Sequence, residues 1–83
     1  MRLNFITFRS VTPAQRGQRI LRQAGVDCEL LRTPRWMEER GCGYCLRLRP
    51  ENTMQAVQLL RQGKLSFSKV YTSTEHGAEE LTV

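Results

Sequence analysis

Three cysteines carry the reactive chemistry of this chain, and two of them, Cys42 and Cys45, stand in the run Cys42-Gly43-Tyr44-Cys45, just after Thr33-Pro34-Arg35 and Arg40. Only a thiolate is a good nucleophile, and a thiol becomes one when it is exposed and held near cationic side chains. Arg35 and Arg40 are close to Cys42 in sequence and could favour its thiolate. Gly43 lets the backbone beside it bend, so that a partner can approach closely. Such a cysteine can take up sulfur or selenium as a persulfide or selenosulfide and pass it to another thiol by exchange. Cys45 could resolve that intermediate or simply belong to the following strand. Thr33 and Pro34 would fix where the loop leaves the preceding strand.

Other uses of the same thiols fit less well. A thioredoxin-type dithiol sits at a helix N-terminus after a strand, whereas this pair precedes a strand and lacks the helix dipole. A zinc site from Cys42, Cys45, Cys28 and His76 would need a second paired knuckle that the chain does not supply. Cys28 alternates as a small buried hydrophobe, and no metal is expected. No phosphate-cradling glycine loop occurs, so no cofactor is expected either.

The loop needs a scaffold, and 83 residues provide one small domain with a single core. The strand-helix pattern is regular. Leu3 to Phe8 reads as a strand. Thr12 as N-cap and Pro13 at the first helical position open a helix that buries Ala14, Gly17, Ile20, Leu21 and Ala24 and ends at Gly25. Val26, Cys28 and Leu30 alternate with acidic residues as a half-buried strand, ended by Pro34. Residues 35–43 form the candidate loop. Tyr44, Leu46 and Leu48 then alternate with Cys45, Arg47 and Arg49 in a third strand. Pro50-Glu51-Asn52 opens a second helix whose buried stripe is Met54, Ala56, Val57, Leu59 and Leu60, with Gly63 at its end. Leu65, Phe67, Val70 and Tyr71 make the last strand.

The order βαββαβ predicts an α+β ferredoxin-like sandwich: a four-stranded antiparallel sheet with two helices on one face. The first and third strands would be central, and Cys45, Arg47 and Arg49 would face away from the helices. Residues 1–72 form this domain, and residues 73–83 are expected to be an acidic, mobile tail.

Charge follows the same division. Residues 1–72 hold all 13 Lys and Arg against five acidic residues, while 73–83 hold three acidic residues and no basic one. A basic body suggests an anionic partner. The third strand has no aromatic on its basic face, and the glycine-aromatic signature of sheet-type RNA binders is missing, which argues against nucleic acid. Trp36, beside Arg35, is a candidate partner contact or lid. No apolar run is long enough to span a bilayer, and the first residues lack the layout of a secretory signal. With an odd cysteine count, a cytoplasmic, reducing setting without membrane contact is expected.

Phe5-Ile6-Thr7-Phe8-Arg9-Ser10, the helix end Ala24-Gly25-Val26, Thr33-Pro34-Arg35, Cys42-Gly43 and Leu46-Arg47-Leu48 together resemble the small bacterial selenium/sulfur (Se/S) carrier protein-like family. The likeness covers about residues 4–71. It implies a carrier rather than an enzyme, with Cys42 bearing the chalcogen. The partners implied are a cysteine desulfurase or selenium-handling enzyme and a sulfur or selenium acceptor protein. Cys45 is not required by the family pattern. The alternative is a non-catalytic interaction or regulatory module with incidental cysteines, and an open apolar sheet face would also suit a homodimer.

Overall fold

A computed structural model of the chain describes residues 2–34, 43–75 and 77–82. In chain order the elements are β1 (Asn4–Phe8), α1 (Val11–Gln23), β2 (Glu29–Arg32), β3 (Tyr44–Leu48), α2 (Thr53–Gln62), β4 (Val70–Thr74) and β5 (Gly77–Leu81). A 3-10 turn, Pro50–Asn52, leads into α2. The strands form one antiparallel sheet in the order β2-β3-β1-β4-β5.

The period-two patterns place side chains as expected. Ile6, Phe8, Leu46, Leu48 and Val70 point to one face and pack with Ala14, Leu21, Ala56, Val57 and Leu60 of the two helices. Phe5 and Cys45 belong to a separate cluster, packed by Leu3, Leu31, Tyr71 and Ala78, that includes no helix residue. Both helices therefore cover the same face, and β1 and β3 are interior strands.

Several expectations are corrected, among them a buried Ala24, which is exposed at the end of α1. The sheet has five strands rather than four, because residues 77–81 of the expected tail pair along β4 as β5. Gly77, at φ 126, makes the turn that only glycine adopts easily. Leu81 then packs against the main core, and Glu80 approaches Lys69 at 3.6 Å. The first helix begins earlier than expected, with Ser10 rather than Thr12 at the N-cap and no side-chain cap bond. Pro13 remains within the first turn, where its missing N–H has no intrahelical partner to lose. In α2, Met54 is 60% exposed and Thr53 takes the inward position. The Thr53 hydroxyl accepts a bond from Asn4 Nδ2 at 2.8 Å, so a polar pair ties α2 to β1 where an apolar contact was expected. Leu65 and Phe67 precede the last strand rather than belonging to it, since β4 begins at Val70.

Both helices close with the same hydrogen-bond pattern. After α1, the Val26 N–H donates to the Leu21 carbonyl at 2.8 Å and the Gly25 N–H to Arg22 at 3.0 Å. Gly25 occupies the left-handed position at φ 81, the usual arrangement for such a cap. After α2, Leu65 donates to Leu60 and Lys64 to Arg61, both at 3.0 Å, but here Lys64 is the left-handed residue, at φ 56. Gly63 serves close packing instead: a Cβ there would lie 3.0 Å from Ile20 Cδ1. A side chain in the left-handed region is strained. Lys64→Gly is expected to raise stability by about 0.5–1 kcal/mol in denaturant unfolding, after the entropy that glycine adds to the unfolded chain. A loss of stability would contradict this cap geometry.

Candidate functional site

The site is built on the β2–β3 hairpin. Glu29, Leu30, Leu31 and Arg32 pair with Arg47, Leu46, Cys45 and Tyr44. One further bond extends the ladder: the Thr33 N–H donates to the Gly43 carbonyl at 3.0 Å. Thr33 and Gly43 are both buried and Pro34 is half-buried. This bond draws together the two ends of the connection that carries the candidate cysteine, and Cys42 is the residue immediately before Gly43. Cys42, Arg35, Arg40, Trp36 and His76 themselves lie outside the described residues.

Cys45 sits on the helix-free face, opposite Thr7 of β1 and Leu31 of β2. It is nonetheless completely buried. Burial strips water from the thiolate and pushes the thiol up to about 11, and the Thr33 side chain and the Arg47 guanidinium offset this only in part. Thr33 Oγ1 is buried with no hydrogen-bond partner of normal geometry, so its pull on the sulfur is weak. Cys28 is half-buried against the helix-side core. Its thiol is also raised, by burial first, with Arg22 lowering it and Asp27 raising it. Cys28 and Cys45 therefore belong to opposite faces of the sheet, and each is held as a neutral thiol.

Arg47 shares the helix-free face with Cys45 and is ion-paired to Glu29, while Arg49 lies past the end of β3 and is exposed. Sequence reasoning put Thr33 at the loop exit but did not place its side chain beside Cys45. The only available signal was that both ends of a hairpin must meet.

The high native position of Cys45 has a consequence for stability. An unfolded thiol ionises around its ordinary 9.0, whereas the native one keeps its proton to about 11. The stabilising contribution is thus fully present below pH 9.0 and is lost as pH rises from there toward about 11. Wild type is expected to lose more stability than Cys45→Ala over that interval, as followed by denaturant unfolding at each pH. Parallel losses would mean that the native thiol is not held neutral.

Among the described residues, no helix is long and apolar enough to cross a membrane. The fold and the closed hairpin define a small α+β protein with a cysteine-bearing connection between β2 and β3. The family model described as "Putative Se/S carrier protein-like" matches residues 4–72, and the chain belongs to that family. The match runs from the start of β1 into β4, and β5 falls beyond it. No curated protein and no solved structure matches the chain.

Proposed function

We propose that this protein carries sulfur or selenium on Cys42. The observation that carries the reading is the state of the other two cysteines. Cys28 and Cys45 are both raised by burial, so thiolate chemistry at neutral pH falls to the remaining thiol, which stands between Arg40 and Gly43. Family membership supports the same chemistry.

In the carrier cycle, the Cys42 thiolate attacks the outer sulfur of a donor persulfide. The donor S–S bond breaks, the donor leaves as a thiolate, and Cys42 holds the persulfide. An acceptor thiolate then attacks that outer sulfur and Cys42 leaves as a thiolate. No net oxidation or reduction occurs. Arg35 and Arg40 favour the thiolate in both steps, and Thr33-Pro34 with Gly43 anchors the loop. Cys45, fully buried and protonated, acts as a packing residue at the base of the loop rather than as a resolving thiol.

The donor is a cysteine desulfurase or selenium-handling enzyme, the acceptor a second protein thiol, and the setting the cytoplasm. The sheet and helices are a ferredoxin-like unit with β5 added at its edge. Transfer is the direct test. Protein loaded by a desulfurase and cysteine, then separated from both, should deliver its sulfur to a low-molecular-weight thiol. Protein that keeps the sulfur through that step would be a sink, and the carrier reading would fail.

A further inference from the structure

The helix-side surface carries a second feature that the carrier chemistry does not use. Helix α1 contains Arg16, Arg19 and Arg22 and no acidic residue, and all three are exposed. They recur every third position, so they follow one another along the helix surface. Among the described residues the ion pairs are Arg47 with Glu29 and Lys69 with Glu80, and neither involves α1. Two cavities flank this row. One, of about 440 Å³, is lined by Arg19, Arg22 and the amides of Gln15, Gln18 and Gln23. The other, of about 540 Å³, has Arg22 on its wall as well, with Arg47, Arg49, Leu3, Cys28 and Leu48. Arg22 joins them into one track, running from the middle of α1 to the end of β3.

We propose that this arginine track is a docking surface for an acidic segment of a partner protein. Guanidinium groups bind carboxylates through paired, charge-assisted hydrogen bonds. The glutamine amides beside them can donate and accept, as an incoming peptide backbone requires. Two observations favour a protein over a nucleic acid. No aromatic side chain lines either cavity, so unpaired bases would have nothing to stack on. Asp27 and Glu29 also stand in the larger cavity, where they would repel a continuous phosphate backbone but can be matched by a partner of mixed charge.

The track ends where β3 ends, while Gly43 precedes the start of that strand, so the two ends of β3 lie roughly 13 Å apart. The assignment does not depend on the carrier reading.

The test is fluorescence anisotropy with a labelled glutamate-rich peptide that also carries lysines and, in parallel, a labelled oligouridylate of matched length. Arg19→Glu/Arg22→Glu is expected to weaken peptide binding about tenfold or more at low salt, with the milder Arg19→Gln/Arg22→Gln in between. The charge-matched Arg32→Glu/Arg61→Glu, at two positions lining neither cavity, should change it by less than about twofold. Equal weakening by both pairs would overturn the proposal, as would no binding by wild type. Tighter binding of oligouridylate, lost in the same track variant, would reassign the surface to nucleic acid and overturn it too. Loading of Cys42 from a low-molecular-weight persulfide should be unchanged in the track variants. Failure of loading would count against the carrier reading alone, and failure of the binding pattern against the docking surface alone.

Discussion

Cys42→Ser is expected to abolish sulfur uptake, while Cys45→Ser and Cys28→Ser retain it. A serine hydroxyl at Cys42 cannot form a persulfide, and neither remaining thiol can take over. Cys45 has no exposed surface and holds its proton to about 11, which leaves a thiolate fraction of roughly one in ten thousand at neutral pH. Cys28 is less deeply placed but is raised too, and it stands on the opposite face of the sheet. The effect should be near-total in Cys42→Ser and at most a few-fold in the others, as read from uptake rates with a desulfurase and its substrate. The converse pattern, with uptake lost in Cys45→Ser alone, would move the chemistry to the buried strand position. No uptake by the wild type or by any of the three variants would make the interaction-module alternative the better account.

Phe8→Ala should have the largest effect on stability, a loss of about 3–5 kcal/mol in denaturant unfolding. The ring is 2% exposed at the centre of the helix-side core. It reaches α1 at Gly17, where an added Cβ would lie 3.0 Å from Phe8 Cζ and 3.2 Å from Leu46 Cδ1. Such close approach leaves no slack for the surroundings to fill the space, so the cavity term should be large. Since small domains hold only about 5–15 kcal/mol in total, this change would bring the fold near its limit. Gly17→Ala should recover part of the loss in the Phe8→Ala background, because its methyl enters the vacated volume and alanine favours the helix. A loss below about 1 kcal/mol would mean that the helix and sheet do not meet at this ring.

The alternation of Val26, Cys28 and Leu30, and of Tyr44, Leu46 and Leu48, was enough to place these residues on the helix side, because a buried sheet face imposes a period of two. Even there the ladder of β2 starts at Glu29, after the first two residues of the pattern. What failed involved a choice between neighbours or a distant partner. Met54 outranks Thr53 in hydropathy, yet Thr53 goes inward because Asn4, far away in sequence, needs a partner for its amide. β5 has two glutamates and little apolar periodicity. It forms because β4 offers an open edge and Gly77 can turn the chain, and neither condition is visible in the segment alone. Gly63 ends α2 as expected and is small for Ile20, while Lys64 adopts the left-handed backbone.

At the site, sequence spacing set Cys42 beside a glycine and near arginines, and the topology adds the Thr33–Gly43 bond that closes the hairpin. The contrast in thiol state was legible only in outline. A strand cysteine facing away from both helices reads as accessible, but the packing of Phe5, Leu31 and Tyr71 around it makes Cys45 a core residue.

The most direct test of the central claim is the intact mass of the wild-type protein, reduced, then incubated at neutral pH with a cysteine desulfurase and cysteine, followed by mapping of the modified peptide. The carrier account predicts a gain of one sulfur atom, reversed by a reducing thiol and located on Cys42. An unchanged mass, both with sulfur and with selenium supplied instead, would contradict it, as would a gain located on Cys28 or Cys45.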